Sequence, residues 1–418
     1  MRFIADFHVH SRYSRATSKD MEVETLGKWA EIKGITLLGT GDFTHPLYFS
    51  ELRAKLQPSD GGLLTLKSGN ETVRFILTTE VSNIFSHAGK LRKIHTLIFA
   101  PTLEVVEKIN GTLGRRGKLS SDGRPIFGFH VKDLVKLILD TSEECFLVPA
   151  HAWTPWFSVF GANSGFDSLE ECFGDQTQYI HAIETGLSSD PQMNWRLSAL
   201  DRISLISNSD AHSPNKIGRE ANVFDCDLNY NQIIKCIREK DRSKLLFTIE
   251  FFPEEGKYHF DGHRKCGILF SPSESKRNGN VCPVCKRGLT IGVMNRVETL
   301  ADRPEGFVPE GAIPAKHLVP LQEIIAEALD CGVDTAAVKR EYEKMITNGG
   351  SEFNILLNLS REELATFVPP KILRGILGIR EGRLEIIPGH DGVYGKIRIL
   401  EDAREEAEEK EPRQMELF

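Results

Sequence analysis

Near the start of this 418-residue chain, His8 and His10 stand two residues apart, just after Asp6. On a strand such residues share a face, so both imidazoles can reach one metal ion. Comparable residues recur downstream. Asp42 follows the second apolar run, Glu80 ends a third, His95 opens a fourth and His151 ends a fifth. Asp210 and His212 then repeat the i, i+2 spacing. Imidazole and carboxylate ligands suit zinc, manganese or iron. A pair of divalent ions in such a setting supplies hydroxide at neutral pH and clamps a phosphate. No Ser/His/Asp nucleophile and no P-loop pattern competes with this chemistry. Single histidines near strands are usually satisfied core or surface groups, and that reading suits His87, His130, His317 and His390.

Elements that would position these groups alternate over the first 250 residues. Strand-like runs cover 2–7, 35–41, 73–81, 95–100, 146–151, 181–186, 204–209 and 245–252. Helix-period segments cover 22–33, 103–113, 131–140 and 231–239. This alternation predicts an α/β fold with a parallel sheet or an α/β barrel. In a barrel the carboxyl ends of the strands form the active-site face. The pattern changes after 253. Residues 253–300 are rich in Gly, Arg, Lys and Cys, and Pro304, Pro309, Pro314 and Pro320 punctuate a connector. Helical patterns follow at 321–331, 335–346, 360–367 and 370–379, and Ser360 with Glu363 forms a capping-box pattern. An extended segment or hairpin turns at 389–392. The expected domains are 1–252, 253–310, 311–400 and an acidic tail, 401–418.

His263 and Cys266, then Cys282 and Cys285, make an HxxC…CxxC arrangement. Three thiolates and one imidazole form a closed tetrahedral zinc site, with His259 as an alternative to His263. Such a zinc holds together a segment with too little apolar surface to fold alone.

Apolar residues are 40% and charged residues 27%, an ordinary globular composition. No run of eighteen apolar residues is present, so no membrane span is expected. No export signal is read at the start, and the scattered cysteines fit a reducing compartment. A cytoplasmic, nucleoid-associated protein is expected. The net charge of −7 argues against nucleic acid, yet it is unevenly spread. Residues 262–297 hold seven Lys/Arg and one acid, a local +6, while residues 401–413 hold seven acids and three bases, or −4. The basic stretch is a candidate DNA-contacting surface.

The segment after His151 is rich in aromatics. Trp153, Trp156, Phe157 and Phe166, with Asn163, form a loop suited to base stacking or insertion into a duplex. With Arg12 and Tyr13 from the 11–15 segment they are the candidate base pocket.

The metal-ligand constellation over 1–250 resembles the PHP family of metal-dependent phosphoesterases. That resemblance implies a distorted (β/α)7 barrel with two or three divalent metals (zinc, manganese or magnesium). It implies that Glu80 bridges two metals, that His8, His10 and Asp210 complete one shell, and that His95 and His151 complete the other. Asp42 and His212 fall in the second and last motifs. His8, His10, Glu80, Asp210 and His212 are the implied catalytic set. The family's second motif usually reads Thr-Asp-His, but Phe43 stands at the histidine here. A histidine often found after the first motif is also missing, where Tyr13, Ser14 and Arg15 stand. Either Asp42 or His45 substitutes, or the third site is weak.

Barrel, zinc module and helical C-terminal region together resemble the endonuclease Q family, over nearly the whole chain. This implies a DNA repair endonuclease that cuts 5′ of deaminated bases (hypoxanthine, uracil, xanthine) and of abasic sites, leaving a 3′-hydroxyl and a 5′-phosphate. The terminal Gln414, Met415, Leu417 and Phe418 resemble the bacterial sliding-clamp binding peptide, which implies a clamp partner. Two other readings use the same barrel: a phosphomonoesterase of histidinol-phosphatase type, and a non-catalytic scaffold that binds DNA or the clamp. The first leaves the basic zinc module unexplained, and the intact ligand set argues against the second.

Overall fold

Phe3, Phe7, Phe99 and Phe224 meet in the middle of the main sheet. Ring centroids are 5.4 Å apart for Phe3 and Phe224 and 5.3 Å for Phe7 and Phe99. All four are buried, and removing one such side chain from water is worth roughly 1.5–3 kcal/mol. The structure, a computed structural model, describes residues 1–69 and 72–399; the acidic tail and its terminal peptide lie outside the described residues.

The fold is mixed α/β. Arg2–Asp6 pairs in parallel with Leu37–Gly39, which pairs in parallel with Arg74–His87. Arg74–His87 runs antiparallel to Lys90–Ala100, and that strand antiparallel to Phe146–Pro149. Four of these five strands therefore point the same way. Ala182–Glu184 and Ser204–Ile206 form a separate parallel pair. Beyond Arg2–Asp6 come Ala221–Asp225, antiparallel to it, then Leu245–Glu250, antiparallel to Ala221–Asp225, and then Ala315–His317, parallel to Leu245–Glu250. Helices at Val23–Lys33, Leu103–Gly114, Val131–Thr141 and Tyr230–Arg238 fall on the helix-period segments. The Ala221–Asp225 strand and the Pro46–Lys55 helix carry too short or too weak a period to be read from sequence.

One expectation is corrected here. The sequence pattern puts Glu80 at the end of one strand and His95 at the start of the next. They lie instead well inside a long hairpin, Arg74–His87 and Lys90–Ala100, with His95 opposite Ser82 and Glu80 opposite Leu97. No turn residue interrupts the chain until Ala88 and Gly89, at φ 48° and 75°. Two successive left-handed residues give the tight turn whose twist matches paired strands.

Among the described residues two compact units divide the chain: Met1–His317 with Pro388–Gly395, and Leu318–Ile387 with Lys396–Ile399. The boundary expected near 310 falls at 317 because Ala315–His317 is an edge strand of the main sheet. The first unit includes the cysteine-bearing segment, with its short hairpin Asp261–His263 and Ile268–Phe270. The second unit is mainly helical: Leu321–Ala328, Ala336–Gly349, Arg361–Ala365 and Pro370–Arg380, plus the Leu384–Ile387 and Lys396–Ile399 hairpin. Ser360 and Glu363 form the capping box. Arg380 donates to the carbonyls of Ile355, Leu356 and Leu359, which the π-turn at Asn354–Asn358 leaves available.

Candidate metal centre

Glu80 divides its two oxygens between two groups of side chains. Oε1 lies 2.7 Å from His95 Nδ1 and 3.0 Å from His151 Nε2. Oε2 lies 3.4 Å from His10 Nε2 and 3.6 Å from His8 Nε2, and His10 Nε2 is 3.0 Å from Asp210 Oδ1. The donor atoms of His8, His10, Glu80 and Asp210 lie within 4.8 Å of one another, as do those of Glu80, His95 and His151. These residues come from the ends of Arg2–Asp6, Phe146–Pro149 and Ser204–Ile206 and from the middle of the long hairpin. His151 and Asp210 take left-handed backbone, at φ 29° and 46°. Strain of that kind at non-glycine residues clusters at functional sites.

Neighbouring carboxylates orient the imidazoles. Both oxygens of Glu184 are 3.0 Å from His8 Nδ1, and they also accept from the His151 N–H and from Asn208 Nδ2. The Nδ1 proton is therefore assigned to His8, which leaves Nε2 with a lone pair. That Nε2 is buried and has no hydrogen-bond partner, yet it faces oxygens of Glu80 and Asp210, the latter at 3.7 Å. Lone pairs facing across such gaps repel unless a cation sits between them. In the second group His95 Nδ1 and His151 Nε2 stand 3.2 Å apart, both aimed at one Glu80 oxygen. Thr154 Oγ1, 3.0 Å from His151 Nδ1, fixes the other side of that ring. The residues fit divalent cations.

Electrostatics point the same way. Burial pushes the His8 and His10 rings down, but Glu184 and Glu80 for the first and Asp42 for the second outweigh it, holding both well above the ordinary histidine range, so that without a cation a proton occupies the Nε2 position and a bound cation replaces it. Burial opposes charge on Glu80, yet His95, Arg124 and His8 hold it well below the usual carboxylate range. His95 is pushed down by burial to about 4, with Glu80 offsetting only part. The site is a buried anionic pocket that attracts positive charge.

Two expected ligands stand outside these groups. Asp42 Oδ1 faces His10 Nδ1 at 3.0 Å, and Oδ2 accepts from the Ser11 N–H, Ser11 Oγ and Ser14 Oγ. Its oxygens are occupied, so it orients His10 rather than offering a free ligand atom. His212 packs its ring 4.6 Å from that of His10 and turns Nδ1 to the Asp210 carbonyl at 2.8 Å. His45, the other candidate for the third site, stacks on Tyr13 at 4.4 Å. Glu184 and Arg124 were missed. Glu184 ends the Ala182–Glu184 strand, so the strand-end rule could have found it. Arg124 sits in an irregular loop that carries no pattern.

His263, Cys266, Cys282 and Cys285 bring their nitrogen and sulfur atoms within 4.8 Å of one another. Backbone bonds from Cys282 N–H to the Arg287 carbonyl and from Lys286 N–H to the Cys282 carbonyl fold the CxxC segment into a tight turn. That donor set and grouping fit a tetrahedral zinc. His259 is buried elsewhere, its ring pushed down to about 4 by burial.

The aromatic loop splits into two sets. Trp153 is buried and donates from Nε1 to Asn194 Oδ1 at 2.8 Å, and Phe166 is buried beneath the Arg92 guanidinium, 4.3 Å from its ring. Both are corrected from base-pocket candidates to packing residues, because neither ring is open to a base. Trp156 is 53% exposed, with the Lys93 ammonium 5.2 Å from its ring. Phe157 covers His95 at 4.5 Å, and Asn163 is exposed. Arg12 is engaged by Glu22 and Glu51, and the Tyr13 hydroxyl donates to Glu51. Those two side chains are committed to a local ion-pair network.

A mixed α/β fold gathering histidines and carboxylates around one shared glutamate defines a metal-dependent hydrolase. Comparison with known proteins narrows the class. The endonuclease PfuEndoQ from Pyrococcus furiosus, described as a novel lesion-specific endonuclease, is 32% identical, with a TM-score of 0.85 over 96% of each chain. A structure of endonuclease Q with a 27-mer duplex substrate, with an abasic lesion at the active site, is 32% identical, with a TM-score of 0.83 over 96% of this chain and 97% of that one. The uncharacterized protein YqxK of Bacillus subtilis is 30% identical over 415 residues, 95% of this chain and 99% of its own length. The uncharacterized protein MJ0043 of Methanocaldococcus jannaschii is 33% identical over 255 residues, 59% of this chain but only 31% of that protein. Residues 320–383 match the MJ0043 C-terminal domain family. This chain belongs to the endonuclease Q family.

Proposed function

We propose that this protein is a metal-dependent DNA repair endonuclease that cuts duplex DNA on the 5′ side of abasic sites and deaminated bases. The observation that carries the reading is the shared Glu80, one oxygen toward His95 and His151 and the other toward His8, His10 and Asp210. It is supported by the full-length likeness to an endonuclease bound to duplex with an abasic lesion. When bound, divalent cations supply a nucleophile at neutral pH and offset the charge that builds on the phosphate. Glu184 and Asp42 fix the His8 and His10 rings so that both Nε2 atoms face the pocket. In the reaction, the oxygen of water bonds to phosphorus and the bond from phosphorus to the 3′ oxygen breaks. That oxygen takes a proton, giving a 3′-hydroxyl and a 5′-phosphate.

The strands that carry these residues read together as a distorted PHP-type (β/α)7 barrel. The basic segment around His263, Cys266, Cys282 and Cys285 reads as a zinc-held DNA contact, and Trp156, Phe157 and Asn163 as the edge that meets an unstacked nucleotide, whose extrusion costs a few kcal/mol. The terminal peptide 414–418 would serve as a sliding-clamp ligand and hold the enzyme at the nucleoid. No helix among the described residues is long and apolar enough to cross a membrane.

The test is a cleavage assay on end-labelled duplexes carrying one abasic site, hypoxanthine, uracil or no lesion, with magnesium, manganese or zinc, and Asp210→Asn as control. A cut just 5′ of the lesion, lost in the variant and absent from undamaged duplex, is expected. Hydrolysis of a phosphomonoester without DNA cutting would overturn the reading.

A further inference from the structure

Arg124 Nη1 donates to Glu80 Oε2 at 3.0 Å, on the oxygen that faces His8 and His10. A guanidinium carries five N–H donors in a fixed fork. Nε and Nη2 of Arg124 have no partner among the described residues, and the side chain is 24% exposed. A fork that uses one prong on a shared carboxylate and leaves its other nitrogens without a protein partner is able to take an oxyanion as well.

The chain around it is built to deliver that fork. Gly123 N–H bonds the Tyr13 carbonyl at 3.0 Å, Thr44 Oγ1 donates to the Gly123 carbonyl, and Ser82 N–H bonds the Pro125 carbonyl at 3.0 Å. The Arg124 N–H is held by Asp122 Oδ1. A Cβ at Gly123 would lie 2.3 Å from both Asp42 Oδ2 and Ser14 Oγ. The 122–125 strap is thus pressed against Asp42 and Ser14, where only glycine fits. Asp42 there is saturated by His10, Ser11 and Ser14, so this side of the pocket offers no free carboxylate to a further cation. It offers a guanidinium instead.

We propose that Arg124 grips a non-bridging oxygen of the scissile phosphate and supplies, as a fixed charge, what a third cation would otherwise supply. The inference rests on the phosphodiesterase reading of the site. It makes the centre a two-cation site completed by an arginine. Charge on the phosphate rises as the water oxygen adds to phosphorus, and a donor already in place stabilises it without reorganisation.

The test uses the full-length, metal-loaded protein with inorganic phosphate as probe, by titration calorimetry, alongside metal analysis. Two active-site cations per chain are expected beside the zinc, in wild type and in Arg124→Ala. Phosphate affinity should fall about tenfold in Arg124→Ala, the equivalent of one charge-assisted hydrogen bond. Arg124→Lys keeps the charge on Glu80 but lacks the fork, so it should retain the metals and still bind phosphate more weakly than wild type. On abasic duplex, kcat should fall about a hundredfold in Arg124→Ala, with KM changed far less, since duplex binding is spread over many contacts. Undiminished phosphate affinity in both variants, or a third active-site cation in wild type, would overturn the proposal. Arginine-dependent phosphate binding without lesion cutting would sink the endonuclease reading and leave this one standing. Lesion cutting with arginine-independent phosphate binding would do the reverse.

Discussion

Glu184 holds His8 with both carboxylate oxygens, each 3.0 Å from Nδ1, although the two residues are 176 positions apart in sequence. The same carboxylate accepts from the backbone N–H of His151, so one buried side chain orients the His8 imidazole of one ligand group and anchors the main chain at His151 of the other. Outer partners of this kind tune metal affinity by roughly 10- to 100-fold. Glu184→Gln should therefore weaken divalent-metal binding within that range while the fold is kept. Chelator competition followed by circular dichroism checks both halves, and unchanged affinity would show that Glu184 is merely packed there.

Asp42 and Asp210 should behave differently. Asp210 offers an oxygen to the metal group, whereas Asp42 spends its oxygens on His10, Ser11 and Ser14. Asp210→Asn is expected to lose bound metal and cleavage together. Asp42→Asn should keep the same number of metals and lose rate. Metal analysis of the two purified variants distinguishes them, and loss of a metal in Asp42→Asn would return it to the ligand set.

Trp153 and Trp156 separate packing from contact. Trp153 is buried against Phe160 and bonded to Asn194, so Trp153→Ala should cost about 3–5 kcal/mol of stability. Trp156 is exposed, so Trp156→Ala should change stability by no more than about 0.5 kcal/mol. Its effect should fall on affinity for lesion duplex. Thermal melts and DNA binding on the two variants check the division, and a large melting shift in Trp156→Ala would count against it.

Buried Glu250 sets a pH dependence away from the metal centre. Burial pushes its carboxyl up to about 8, and Oε2 accepts from Thr185 Oγ1 and Ser207 Oγ. A raised folded value means the stabilising contribution is complete below about 4.5 and is lost as pH rises through about 8. Stability should therefore decline over that interval for this group. Glu250→Gln, which cannot ionise, should gain on wild type steadily as pH rises. Melting temperatures of both proteins from pH 5 to 9 test it, and parallel curves would refute it.

Zinc removal should act locally. Chelation, or Cys282→Ser, is expected to open the 259–297 segment to protease, because the four ligands fix a segment with few buried apolar side chains. Limited proteolysis with mass mapping reads the outcome, and an unaltered cleavage map would argue that the hairpin alone holds it.

By itself the sequence determined the ligand types and the segments that bear them. Strand periodicity puts His8 and His10 on one face, and local spacing pairs His263 with Cys266 and Cys282 with Cys285, because such relations depend only on backbone period. It also carried the alternating α/β order, the helices near the C-terminus and the Ser360–Glu363 capping box that starts one of them. The tertiary structure decided everything that depends on side-chain direction or on meetings across the chain. It alone divided Glu80 between two groups, closed Asp42 within Ser11 and Ser14, and turned Trp153 inward but Trp156 outward. It alone brought Arg124 from a patternless loop to a buried carboxylate. Periodicity gives a residue's face, but the partner it meets there is set by how distant strands and loops pack.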